Sequence, residues 1–118
     1  MANANSVTDL IVQIESLEGI KNIDEILSLE GVDMVATGKA DISQALGVAG
    51  QKDHPDVLEA EAFIVKKALE YGKIPTLKAE TPKRVAELKE MGVNCFLVGR
   101  DESLAHKALK NHLSAFRA

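Results

Sequence analysis

The sequence predicts an α/β domain of about four successive strand–helix units on a parallel sheet, and three observations predict it. Four short apolar runs bounded by turn residues recur along the 118 residues. Segments with a helical apolar period separate them, and Pro, Thr and Gly stand where such helices should start and stop.

The first run, "LIVQIE" from Leu10 to Glu15, alternates, so Leu10, Val12 and Ile14 share one face while Gln13 and Glu15 share the other. The apolar face should pack on helices and the polar face should line an interior. Asn22 to Leu29 follows, a short helical segment carrying Ile23, Ile26 and Leu27. The second run, "DMVATG" from Asp33 to Gly38, breaks at its glycine and leads into the short amphipathic "DISQAL". The segment from Gly47 to Asp56 is the longest loop, and loops of that size on α/β scaffolds often belong to a site. Pro55 to Tyr71 then shows Ile64, Val65, Ala68 and Leu69 at helical spacing, with Pro55 at the first helical position.

The third run, "IPTLKA" from Ile74 to Ala79, is tolerable as a strand because Pro75 lies near its start. Thr81 is a good cap for the helix from Pro82 to Met91, which carries Val85, Leu88 and Met91. The fourth run, "CFLVGR" from Cys95 to Arg100, precedes a last helix from Glu102 to Phe116 with Ala105, Ala108, Leu109, Leu113 and Phe116. Gly72 and Gly92 follow helical patterns as stops. The strands read as buried on both faces, as in a parallel sheet.

Bulk properties narrow the function. A chain with 46% hydrophobic residues fits one domain, 1–118, able to bury roughly 65% of its unfolded surface. Fourteen basic against 18 acidic residues give a net charge of −4, and aromatics are only 3%, which argues against nucleic acid as a partner. No apolar run approaches the ~18 residues of a membrane span, and "MANANSVTD" lacks the layout of a signal peptide. A single cysteine, Cys95, sits in an apolar run and reads as core, so the expected home is cytoplasmic and reducing.

The carboxyl ends of parallel strands are where α/β proteins bind ligands. Glu15 closes the first strand and Asp41 follows the second, which places two carboxylates on one rim about one strand spacing, ~4.8 Å, apart. Such a pair repels unless a cation sits between, and hard oxygen donors suit Mg²⁺ or Mn²⁺. The plainer alternative is that Glu15 caps the helix behind it and Asp41 caps "DISQAL".

The stretches "VQIES", "GVDMVATGKADISQALGVAGQKDHPDV", "GKIPTL" and "GVNCFLVGRDESL" together resemble the carboxyl-terminal half of the HpcH/HpaI aldolases, in the phosphoenolpyruvate/pyruvate barrel superfamily. The resemblance implies about half of a TIM barrel. It implies that Glu15 and Asp41 bind a divalent metal, that the backbone amides of Gly38, Ala40 and Asp41 hold the carboxylate of a 2-oxo acid, and that Gln13 lines the pocket. The implied activity is cleavage of 4-hydroxy-2-oxo acids to pyruvate and an aldehyde, with the metal stabilising the enolate. Lys39 departs from the proline many members have there, and reads as a solvated loop lysine rather than a substrate contact.

The resemblance also implies that the general-base histidine, its acidic partner and the catalytic arginine belong to the first half of the family's barrel, so no catalytic residue is expected within this chain. His54 reads as a residue at the head of a helix, His106 and His112 as surface residues, and Arg100 matches no catalytic arginine. Half a barrel would expose strand edges and an interior face. The expectation is therefore a homo-oligomer, by pseudo-barrel completion or by transfer of the last helix to a neighbour, and poor turnover by the chain alone. Two other readings are a non-enzymatic truncated half-barrel whose activity is self-association, and an open receiver-like domain, for which Asp9 alone is weak support.

Overall fold

The structure, a computed structural model, describes residues 7–117. Its elements run β1 (Ile11–Ile14), α1 (Leu17–Lys21), α2 (Ile23–Leu27), β2 (Met34–Thr37), α3 (Lys39–Ala45), α4 (Pro55–Glu70), β3 (Ile74–Lys78), α5 (Pro82–Glu90), β4 (Cys95–Leu97) and α6 (Asp101–Ser114). The four strands form one parallel sheet in sequence order, β1-β2-β3-β4. Every strand therefore pairs with the next through a helical crossover, the progression by which (βα) barrels are built.

Local chemistry accounts for the boundaries. The Thr81 hydroxyl accepts from the Arg84 amide at 3.2 Å, and Pro82 and Pro55 open their helices where a missing N–H costs nothing. After α4 and α5 the chain turns through Gly72 at φ 66° and Gly92 at φ 91°, a region that favours glycine. Pro75 stands inside β3, opposite Val35, and costs no ladder bond. The Ile74 amide donates toward the β2 side, to the Asp33 carbonyl at 3.1 Å, so the next residue faces β4, and pairing with β4 begins only at Thr76.

Two details depart from the sequence reading. The expected helix from Asn22 to Leu29 is two short helices, with α1 ahead of it, capped by the Ser16 hydroxyl accepting from the Gly19 amide at 3.0 Å. Glu15 is therefore not the cap. Likewise α3 starts at Lys39 with Gly38 as its N-cap, so Asp41 lies inside the first turn instead of capping it.

The core lies between the sheet and its helices. Ile14 and Val35 pack with Ile23, Leu27, Ile42, Val57, Ile64 and Ala68, and Val12 packs against that group. A second group joins Leu77 to Val65, Leu88 and Val93, with Phe96 packed on it. The opposite face of the sheet is only partly covered: Ile11, Ile74 and Leu97 are each about half exposed, while Ala36 and Thr76 at its centre are buried. Register places Gln13, Ala36, Thr76 and Cys95 in one row on that face. Cys95 is thus half-buried on the open side, whereas its neighbour Phe96 enters the helical core.

Helix α6 buries none of its residues, and Leu104, Leu109, Leu113 and Phe116 stand exposed. The radius of gyration, 17.1 Å, accordingly exceeds the ~13.5 Å of a compact chain of this length. Among the described residues no helix is long and apolar enough to cross a membrane.

Candidate functional site

The carboxyl ends of β1 and β2 meet at one junction. The Gly38 amide donates to the Ile14 carbonyl at 2.9 Å, which locks the chain after β2 to the tip of β1. Gly38 is buried there, and a Cβ at this position would stand inside 3.0 Å of the Glu15 Cβ and 3.1 Å from both Gln13 Nε2 and Glu15 Oε2. Only a glycine leaves room for both side chains. Gln13 Nε2 donates to Glu15 Oε2 at 2.6 Å, so one amide fixes one carboxylate oxygen and leaves the other free to ligate.

Ala40 and Asp41 lie exposed in the first turn of α3, at the same end of the sheet. Gln13, Glu15 and Gly38 are thus in direct contact, and Ala40 and Asp41 follow on the adjacent segment. Among the described residues neither Glu15 nor Asp41 has a cationic side chain within 4.0 Å, and no three His, Cys, Asp or Glu side chains converge on a common point. Glu15 touches Gln13 at the junction and Asp41 stands in the turn that follows, and both are oxygen donors of the kind hard divalent ions take.

The loop after α3 is tied back to it by Ser43. This buried hydroxyl donates to the Ala40 carbonyl at 2.6 Å and accepts from the Gly50 amide at 3.1 Å. His54 heads α4 as read from the sequence, its Nδ1 accepting from the Asp56 amide at 3.3 Å. Arg100 caps no helix with its side chain and instead pairs with Glu102 through Nε at 2.7 Å. His106 and His112 are exposed.

Lys39 is not the solvated lysine its loop position suggested. Its side chain is only 17% exposed, with the ammonium 3.5 Å from Asp53 Oδ1 and 3.8 Å from Glu61 Oε2. Glu61, on α4, is 3% exposed and also ion-pairs with Arg84 of α5. Burial acts to lower the Arg84 guanidinium, but the charge of Glu61 and hydrogen bonds to Glu61 and Glu87 outweigh it, so Arg84 is held above its ordinary value. Sequence reasoning missed Glu61, Arg84 and Ser43. The signal for Glu61 was present: it interrupts the apolar stripe of Val57, Ile64, Val65 and Ala68 with a charge.

Thr76 was missed as well. Its hydroxyl is buried on the open-face row, and it has no hydrogen-bond partner among the described residues. A groove of about 560 Å³ lined by Val65, Leu69 and Met91 lies at the carboxyl ends of α4 and α5, the end of the sheet opposite the strand tips.

Comparison with known proteins bears on the family and the fold. The chain is 34% identical over all its 118 residues to the 2-keto-3-deoxy-L-rhamnonate aldolase of Escherichia coli K12, covering 44% of that protein. Its fold superposes on the citrate synthase SbnG with a TM-score of 0.87 at 30% identity, covering 99% of this chain and 48% of the other. It also superposes on an HpcH/HpaI aldolase from Desulfitobacterium hafniense with a TM-score of 0.83 at 26% identity, covering 96% and 44%. The chain thus spans less than half the length of these relatives, and its sheet corresponds to about half of their TIM-barrel-like fold. The family model for HpcH/HpaI aldolase/citrate lyase matches residues 1–108, and the chain belongs to that family.

Proposed function

We propose that this chain carries the metal- and 2-oxo-acid-binding part of a pyruvate-type aldolase, a carbon–carbon lyase for 4-hydroxy-2-oxo acids. The observation that carries the reading is the packing of Gln13, Glu15 and Gly38 at adjacent strand tips, with Asp41 in the helical turn that follows. The name of the Escherichia coli relative, an aldolase of a 2-keto acid, supports a substrate of this chemical kind.

Glu15 and Asp41 would hold Mg²⁺ or Mn²⁺. When bound, the ion supplies Lewis-acid polarisation of a substrate keto oxygen. The chain's own residues do the rest. Gln13 clamps one oxygen of Glu15 and so sets the direction of the other. Gly38 keeps the space between the strand tips clear. Of the three amides implied by the resemblance, that of Gly38 is committed to the Ile14 carbonyl, so those of Ala40 and Asp41 would hold the substrate carboxylate. No proton-transfer step is assigned to this chain, because the Nδ1 of His54 serves the helix cap and the other two histidines lie on exposed α6.

Homo-oligomerisation belongs to the same proposal, and the exposed apolar side chains of α6 support it. They equally favour the second reading, in which self-association is the sole activity. Calorimetric titration with Mn²⁺ separates the two. Binding by the wild type that Glu15→Ala abolishes supports the lyase site, whereas equal heats from both proteins leave self-association alone.

A further inference from the structure

Glu61 is a buried carboxylate that neither the fold nor the proposed chemistry explains. It sits on the apolar stripe of α4, where an aliphatic side chain would pack at no electrostatic cost, and desolvating a carboxylate is expensive unless it is well paired. Its partners come from two other elements: Arg84 from α5, and Lys39 from the first position of α3. A single oxygen, Oε2, serves both.

We propose that Glu61 is a positioning residue for the Gly38–Asp41 segment and acts through Lys39. Lys39 is joined covalently to Gly38 on one side and Ala40 on the other, so holding its ammonium restrains the turn that bears the amides and Asp41. The second partner of Lys39, Asp53, is 94% exposed, and a pair with so exposed a group holds little. The effective anchor is therefore the buried carboxylate. Arg84 holds that carboxylate from the far side, and Glu87 in turn accepts from Arg84 Nη1 at 3.3 Å. The chain of contacts runs from α5 through α4 to the head of α3.

The purpose of the restraint rests on the function proposed above; the restraint itself does not. The test separates the two by combining amide hydrogen exchange with Mn²⁺ titration in the presence of oxalate, on the wild type, Glu61→Gln, Lys39→Met, Lys39→Arg and the Glu61→Gln/Lys39→Met double variant. The Gly38 and Ile42 amides, bonded to the Ile14 and Gly38 carbonyls at 2.9 Å each, are the local reporters, and the core amides of Leu77 and Leu88 report global stability.

Glu61→Gln and Lys39→Met should each speed exchange at Gly38 and Ile42 by roughly tenfold with little change at Leu77 and Leu88. The double variant should be no worse than either single one, and Lys39→Arg should stay near the wild type. Unchanged exchange at Gly38 and Ile42, or acceleration spread evenly over the core, overturns the inference. Lys39→Met leaves Glu61 paired with Arg84, so it reports even if Glu61→Gln fails to fold. Should the wild type bind no Mn²⁺ while the exchange pattern holds, the positioning role stands and the metal reading falls.

Discussion

Gly38→Ala is the sharpest perturbation of the junction between β1 and β2. The backbone at Gly38 has φ −96°, which any residue adopts, so a substitution acts through the added methyl group alone. That methyl would lie inside 3.0 Å of the Glu15 Cβ, where carbon atoms prefer ~3.5–4.0 Å, and 3.1 Å from Gln13 Nε2 and Glu15 Oε2. No flexible side-chain end can absorb the first of these clashes, because Cβ moves only with its backbone. Either the strand tips part by several tenths of an ångström or the Gly38–Ile14 hydrogen bond lengthens.

Overpacking of this kind costs about 1–3 kcal/mol. For a domain of this size that corresponds to a fall in Tm of about 4–12 °C. Urea unfolding followed by circular dichroism, at one fixed protein concentration, measures it. Gly31→Ala is the internal control, since nothing lies within 4 Å of a Cβ there, and it should change stability by less than ~0.5 kcal/mol. Equal midpoints for the two variants would refute the packing argument for the strand-tip junction.

Thr76→Val should raise the urea midpoint with an unchanged slope, a gain of about 1 kcal/mol, because it removes a buried hydroxyl that has no partner; a lower midpoint would mean that the hydroxyl is satisfied. The tie between α2 and α4 should be pH-dependent. Lys67 Nζ donates to Asp24 Oδ1 at 2.8 Å, and this bond chiefly holds the Asp24 carboxyl below its ordinary 3.8, with burial opposing. Asp24 is a group with a depressed folded-state value, so its stabilisation is present above pH ~4 and fades as the pH falls through that depressed value. Asp24→Asn should flatten the acid limb of the stability profile while losing stability at neutral pH, and parallel acid limbs would contradict this. Light scattering at micromolar concentration should give a mass at least twice that of one chain, lowered by Leu109→Glu with Leu113→Glu; a monomer mass for the wild type would remove the oligomer from the account.

The sheet was legible in the sequence because its strands are apolar on the open face as well as on the helical one, which gives short apolar runs between turn residues, and its order followed from the alternation of strand and helix. Helix α1 was not, since five residues with only Leu17 and Ile20 apolar carry too little periodicity. At the site, Gln13 and Glu15 were assigned to one face by simple alternation, and the structure places them in contact. Lys39 was misread because the burial of a charged side chain depends on its partner, here Glu61, one long loop and half a helix away. The side on which Cys95 points follows from its register with Thr76, which composition cannot supply.

In the proposed function Glu15 and Asp41 share a divalent ion that anchors a 2-oxo acid. A crystal of the chain soaked with Mn²⁺ and pyruvate tests it most directly. The expected result is an ion bound by oxygens of both Glu15 and Asp41, with the pyruvate carboxylate at the head of α3. An ion held elsewhere, or the two carboxylates turned apart with no ion between them, would contradict it.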